Sequence, residues 1–276
     1  MNNKPSPDRR TLPVRPLLSA LLLLLAAALA GGQTIHSEHL FGGLPRGAGA
    51  DHDLVFRDLY VLQNNPETKF ADWVAYRLSP EESWGTLDLD RNWRIDPDLD
   101  PMDTLDASPD AYAGANAAYG YQRGHLAPLA AFKGSVKASE VNYYSNITPQ
   151  TGRFNNGPWK DLESAVRRLV LAGEVVTVFT GPYYDPAHPM PPLPNAGVDH
   201  TVPSGFWNIV CTGTPENPEI SAFLMPHDEF PSEDFRRYLE PVDLIESRTG
   251  LDFFSELEPT LETEIEAAAD LLPAWR

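Results

Sequence analysis

Two short segments carry side chains that could move a proton and hold a cation. Tyr121-Gln122-Arg123-Gly124-His125-Leu126-Ala127-Pro128 sets an imidazole beside a guanidinium. Ser145-Asn146-Ile147-Thr148-Pro149-Gln150 runs on to Asn155-Asn156-Gly157-Pro158-Trp159-Lys160-Asp161-Leu162-Glu163. An imidazole with an ordinary pKa near ~6.5 can take a proton from water at neutral pH. Pro158 lacks an N–H and is tolerated in a helix only in the first turn, which puts Asn155 at or just before a helix start. Glu163 then lies about two turns on, within roughly a quarter-turn of the azimuth of Asn155. An amide oxygen and a carboxylate on one helix edge can share the hydration shell of Mg²⁺, a hard ion held by few protein oxygens and several waters. Each piece alone has a plainer use. A histidine beside Arg and Gly is commonly structural, Asn155-Asn156-Gly157-Pro158 is turn and cap chemistry, and Glu163 alone is a solvated helix charge. Only their occurrence together, in order, gives the functional reading its weight.

The elements that must position these groups follow from periodicity. Strands are predicted at 54–56 and 59–62, and 69–78 alternates about aromatic and β-branched residues as a half-buried strand does. Residues 91–102, rich in Asp and Pro, predict an ordered loop, 111–118 a short helix and 141–144 a short strand. Leu162, Val166, Leu169 and Val170 share one face of an amphipathic helix over 162–171, opposite Lys160, Asp161 and Arg168. A β-branched strand at 174–180 is closed by the turn signal Gly181-Pro182, and 185–196 is a Pro-rich loop. Buried strands are predicted at 206–212 and 220–225, and helices at 234–239 and 242–249, the second stopped by Gly250. Residues 256–272 form an acidic amphipathic helix or tail. One mixed α/β domain over 54–276, with strands outnumbering helices, is the economical reading. Residues 31–53 are an irregular lead-in, whose His36, His39 and His52 match no ligand spacing and are expected in solvated loops.

The N-terminus reads as an export signal. Lys4, Arg9, Arg10 and Arg15 precede an almost wholly apolar run over 17–30 that ends in Ala28-Leu29-Ala30, as a charged region, apolar region and small-residue cleavage site do. The run is shorter than the ~20 apolar residues that span a bilayer, so residues 1–30 are expected to leave as a signal peptide. Arg9-Arg10 leaves twin-arginine and general export both open. The expected location is secreted or periplasmic, with no stable membrane association after cleavage. The formal net charge of the chain is −18. Removing Lys4, Arg9, Arg10, Arg15 and Asp8 takes away a net +3 and leaves −21. Such a balance opposes binding of a polyanion unless cations gather locally. Arg91, Arg94, Arg123, Lys133, Lys137, Arg153 and Lys160 do gather around the candidate site in sequence. Cys211 is the only cysteine, which excludes internal disulfides and Cys-type zinc clusters; its apolar context predicts a buried, inert thiol.

With these residues in view, the chain resembles the DNA/RNA non-specific endonucleases of the ββα-metal type, and within them the secreted Serratia-type branch. Arg123-Gly124-His125 matches the family's Asp-Arg-Gly-His pattern; Asn146–Gln150 matches its Asn-Ile-Thr-Pro-Gln segment, and Asn155 through Glu163 its Asn-x-x-x-Trp-x-x-Leu-Glu segment. Arg91-Asn92-Trp93, the segment from Lys69 to Tyr76, Thr180-Gly181-Pro182, Val202-Pro203-Ser204 and Phe223-Leu224-Met225-Pro226 also fit, so the likeness spans roughly 54–254. It implies an α+β fold, a single mixed α/β domain with a central antiparallel sheet and a ββα-metal motif. It implies hydrolysis of DNA and RNA with Mg²⁺, for which Mn²⁺ can substitute, leaving 5′-phosphate ends. By resemblance His125 is the general base and Asn155 the direct metal ligand. Glu163 and Gln122 act on the metal through water, Asn146 holds metal-bound waters or shapes the site, and Arg91 and Arg123 contact the scissile phosphate. The sequence departs from the pattern in three places. Gln122 stands where an acid is expected, Asn208 where a lysine often follows the aromatic, and the disulfides of the secreted branch are absent. A nuclease-fold protein that binds nucleic acid without cutting it, and a phosphodiesterase for small substrates, are the alternatives.

Overall fold

Strand β3 (Phe70–Leu78) shows how the sheet is built. Val74, Tyr76 and Leu78 point to one buried cluster, while Trp73 and Ala75 point to another on the opposite face. The period of two is therefore present, but the strand is not half-buried as expected. A second core covers the face that a lone amphipathic strand would leave to water. The computed structural model describes residues 35–88, 91–105, 111–227 and 234–276; the expected signal peptide lies outside them. Residues 36–276 form one compact unit. No helix among the described residues is long and apolar enough to cross a membrane.

Around β3 the described strands β1 (Asp53–Phe56), β2 (Val61–Asn65), β6 (Val176–Tyr183), β7 (Gly205–Thr214), β8 (Asn217–Pro226) and β9 (Leu239–Glu240) form an antiparallel sheet in the order β1-β2-β3-β6-β7-β8-β9. A separate antiparallel pair, β4 (Tyr121–His125) and β5 (Ile147–Thr151), carries the predicted site segments. The described helices are α1 (Pro80–Ser83), α2 (Ala115–Tyr119), α3 (Gly152–Asn156), α4 (Pro158–Leu171), α5 (Val242–Thr249) and α6 (Pro259–Ala267).

Helix α4 opens with Pro158 at its first turn and lays Trp159, Leu162, Ala165, Val166 and Leu169 on one face of the sheet. The other face is covered by α5, by Leu251, Phe253, Phe254 and Leu257, and by Leu40, Phe41 and Leu44 of the N-terminal lead-in. That lead-in is irregular yet packed. His39 is buried and hydrogen-bonds the Asp58 carbonyl and the Arg77 N–H, and His52 pairs with Asp72, so neither is a solvated loop histidine.

Other expectations change for tertiary reasons. Gly181-Pro182 is no turn, because β6 runs through it to Tyr183. The β3 ladder ends at Val74↔Thr180, so Pro182 lies past its last paired residue and needs no N–H on that side. Gly181 leaves room for the Trp207 indole, whose Nε1–H donates to the Pro182 carbonyl at 3.0 Å. Residues 141–144 are not a strand; 3₁₀ turns at Ala138–Asn142 and Tyr144–Asn146 replace it. Residues 234–239 form a 3₁₀ turn, Phe235–Tyr238, that feeds the edge strand β9. The loop at 91–102 is ordered by the buried Asp96 carboxylate, which pairs with Arg57 and accepts the Ser145 hydroxyl. Cys211 is buried on β7, and desolvation pushes its thiol pKa up.

The sheet grips the site elements through an aromatic cluster. Phe206 on β7 lies 5.2 Å from Phe154, 5.7 Å from Trp159 and 5.4 Å from His227, ring centre to ring centre. Truncating it opens a cavity between the sheet and both α3 and α4. Phe206→Ala should lose about 3–5 kcal/mol in urea unfolding, and a loss below one kcal/mol would show that these elements do not depend on the cluster.

Candidate active site

Strands β4 and β5 pair Gln122 with Gln150, Gly124 with Thr148 and His125 with Ile147. A Cβ at Gly124 would overlap the buried Gln150 amide, which would then have to move. At the end of β5 the Thr151 hydroxyl accepts from the Phe154 N–H and caps α3. His227 holds the same junction. Its Nδ1–H donates to the Pro203 carbonyl (2.8 Å), and its Nε2 accepts the Thr151 N–H (2.7 Å), which makes it a neutral, fully used imidazole. Gly157 then leaves the helical conformation, and α4 starts on Pro158. Asn155 is therefore in a short helix of its own and not in the same helix as Glu163. The azimuth estimate across 155–163 fails at Gly157, yet two strands followed by two abutting helices still bring both residues to one cleft.

That cleft has a volume of about 280 Å³, and its lining includes Arg91, Gln122, Arg123, His125, Asn155 and Glu163. The structure thus brings together every site residue expected from the sequence except Asn146. The Nε2–H of His125 donates to Asn142 Oδ1 at 2.9 Å, which leaves Nδ1 as the basic nitrogen. The Trp93 ring lies 5.3 Å from the imidazole. Desolvation is the largest cause lowering the His125 pKa, to about 4; the Asn142 bond opposes it, and Arg91 adds to it. The ring is therefore neutral at neutral pH and able to accept.

Asn146 is buried with all its amide bonds made to backbone. Its Oδ1 accepts the Ala127 N–H (2.8 Å), and its Nδ2 donates to the carbonyls of Ala127 (3.0 Å) and Val141 (2.8 Å). It shapes the chain around His125 and is not among the residues lining the cleft.

Gln122 Oε1 accepts from both Asn155 Nδ2 (3.0 Å) and Asn156 Nδ2 (3.1 Å). This bond fixes which way the Asn155 amide faces, and among the described residues its Oδ1 takes no hydrogen bond. Glu163 has a pKa raised to about 8, chiefly by desolvation, which Arg167 and Lys160 counter in part. A free amide oxygen and a desolvated carboxylate are donors that suit a hard divalent cation, whose charge relieves the cost of ionising Glu163. Arg91 is exposed at the rim. The Arg123 guanidinium lies over the rings of Tyr112 (4.8 Å) and Trp93 (5.7 Å).

Three residues escaped the sequence reading, Arg167 and Ser164 lining the cleft and Asn142 buried behind His125. Asn142 carried no signal, because its segment reads as strand. Arg167 and Ser164 could have been found, since Arg167 stands four residues after Glu163 and seven after Lys160 on the helix.

Comparison with known proteins identifies the family. The model of the DNA/RNA non-specific endonuclease family matches residues 45–260. A nuclease of Serratia marcescens is 37% identical over 258 residues, covering 92% of this chain and 94% of that protein. A nuclease of Nostoc sp. is 32% identical over 85% of this chain and 86% of its own. Mitochondrial endonuclease G of Homo sapiens is 31% identical over 71% and 68%. Among solved structures, a chain of the EndoG/EndoGI complex superposes with a TM-score of 0.65 at 26% identity, covering 79% of this chain and 90% of that one.

The raised Glu163 pKa makes stability depend on pH. The folded state holds this proton more tightly than the unfolded chain does, so the contribution is full below about 4.5 and is lost as pH rises through about 8. In chelator, Glu163→Gln should melt about 2–4 °C above the parent at pH ~8.5, the effect of roughly one kcal/mol in a domain of this size. The gap should close towards pH ~5. A gap that does not change with pH in thermal unfolding would show that Glu163 is not desolvated.

Proposed function

Because the chain belongs to the DNA/RNA non-specific endonuclease family, we propose that it is an exported endonuclease that hydrolyses DNA and RNA with Mg²⁺ and leaves 5′-phosphate ends. The observation that carries the mechanism is the His125–Asn142 bond. It holds Nε2 protonated and turns Nδ1 into the acceptor, in a cleft that also holds Asn155, Glu163 and two arginines.

Arg91 and Arg123 take the scissile phosphodiester and offset charge growing on it. Their pairing with phosphate also weakens the field by which Arg91 depresses His125, so the base strengthens when substrate is present. His125 Nδ1 then removes a proton from the attacking water as the phosphorus–O3′ bond breaks, and the departing 3′ oxygen takes a proton from solvent. Asn155 Oδ1 would hold the cation directly, with Glu163 and Gln122 acting through its waters and Asn146 keeping His125 in place. Bound Mg²⁺, for which Mn²⁺ can substitute, supplies Lewis-acid stabilisation of the leaving oxygen. Since water is the nucleophile, no 2′-hydroxyl is required and both DNA and RNA serve. Contacts to phosphate instead of base edges leave little sequence preference.

Gln122 keeps the geometry an acid would supply, because one neutral oxygen accepts from both asparagine amides. It removes one negative charge from the cation's surroundings, so weak metal affinity is expected and not loss of cutting.

Plasmid nicking across a Mg²⁺ titration tests the assignments. The parent should be silent in excess EDTA. His125→Ala should be slower by at least about 10²–10⁴-fold and stay flat as Mg²⁺ rises, whereas Asn155→Ala should recover in part. Recovery of His125→Ala at high Mg²⁺ would make His125 a metal ligand, and nicking in EDTA would end the metal mechanism. Binding without nicking in Mg²⁺ would leave a nucleic-acid-binding protein on a nuclease fold.

Export is read from the N-terminal sequence. The mature chain should begin at or near Gly31 when its terminus is determined by mass spectrometry of the exported fraction. Full-length chain kept in the membrane fraction would contradict it.

A further inference from the structure

Next to the catalytic cleft lies a second depression of about 440 Å³, lined by Ser83, Trp84, Gly85, Ala130, Lys133, Arg167 and Leu171. It shares Ala130 and Arg167 with the cleft, so the two adjoin. Trp84 is 65% exposed here, an unusual position for the largest side chain. Among the described residues, neither its ring nor the Lys133 ammonium has a partner, and Lys133 is exposed.

The mount beneath the ring is rigid. The Trp84 N–H donates to the Pro80 carbonyl (2.7 Å), the Ser83 hydroxyl to the Ala131 carbonyl (2.9 Å), and the Gly134 N–H to the Glu82 carbonyl (2.7 Å). Gly85 and Gly134 let the two segments touch, because a Cβ on either would overlap the other segment's backbone. An indole displayed on a stapled loop loses little entropy when a flat partner covers it.

We propose that Trp84 is a stacking platform for one unpaired base of the strand being cut, with Lys133 and Arg167 holding the adjoining phosphate. This rests on the endonuclease reading and adds the form of substrate that the site favours. Charge and adjacency select the occupant. An aromatic ring that lines a depression with two cations, beside a cleft read as binding a phosphodiester, matches how single strands are held. A base inside a duplex has both faces covered by its neighbours and cannot lie on the ring. Single-stranded or frayed nucleic acid therefore gains a contact that intact duplex does not.

The test compares a short single-stranded oligothymidylate, the same strand paired with oligoadenylate, and bis(p-nitrophenyl) phosphate. Trp84→Ala should lower kcat/KM on the single strand by about fivefold or more, the lower end of what one stacked base contributes. The loss should fall mainly on KM. The ratio of single-strand to small-diester activity should drop by the same factor, the duplex should change less, and Trp84→Phe should restore most of the loss. Independently, oligothymidylate added in EDTA should quench the tryptophan emission of a Trp93→Phe background, which removes the ring beside His125 and Arg123, and adding Trp84→Phe should abolish that quench. Equal losses on all three substrates, no loss on the single strand, or a quench that survives when both Trp93 and Trp84 are phenylalanine would each overturn the subsite. A parent that cuts no nucleic acid would refute the endonuclease reading, while the quench still decides whether Trp84 stacks a base. Should Trp84→Ala not fold, Trp84→Phe with the quench decides.

Discussion

The site hangs on one buried amide. Asn146 bonds the N–H and carbonyl of Ala127 on one side and the carbonyl of Val141 on the other, and its own carbonyl accepts the Leu126 N–H. Ala127 follows His125 by two residues, and Val141 precedes Asn142 by one. A single side chain thus fixes both ends of the His125–Asn142 bond. In a dry interior such a junction tolerates little change, since losing the amide strands three backbone groups without water to replace it. The tautomer of the imidazole depends on an asparagine that never reaches the cleft.

The environment around that junction drives the titrating groups apart. His125 is pushed down to about 4 and Glu163 up to about 8, both mainly by desolvation, so at neutral pH and without a cation each favours its uncharged form. On the proposed reading these two groups become charged only once metal and phosphate are bound, which is when their charge is useful. The net charge of −18 fits beside this because repulsion is a property of the whole surface, whereas capture depends on the local field. Arg91, Arg123, Lys160 and Arg167 line the cleft with Glu163 as the one acidic side chain among them. Acid lies elsewhere too, as with Asp243, Glu246 and Glu266, where burial first and then repulsion from Glu246, Glu262 and Asp243 raise Glu266 to about 8.

The parts of the site legible in the sequence were those set by chemistry at fixed spacing. His125, Asn155 and Glu163 occur in order on segments whose turn and helix signals are strong, and the structure brings them to one cleft. Partners made by tertiary contact were not legible. Asn142 sits in 3₁₀ turns whose Val141 and two tyrosines imitate a strand. The double burial of β3 depends on residues 242–257, far along the chain, and the passage of β6 through Gly181-Pro182 depends on where its neighbour stops. Gly157 could have been read as a break, but the proline after it dominated the pattern. That the chain is one mixed domain with more strands than helices was readable because alternation survives whichever face is covered; the central antiparallel sheet and the ββα site came from the resemblance to the family.

Cys211 marks a further property of the architecture. With one thiol, buried and held protonated, the chain has no crosslink to form and none to lose. Its folding waits on no oxidase or isomerase, and a reducing medium such as cytosol leaves the folded form intact. On the proposed reading the newly made chain could become competent before it leaves the compartment of synthesis. On that reading, forming or breaking a disulfide cannot serve as its safety catch.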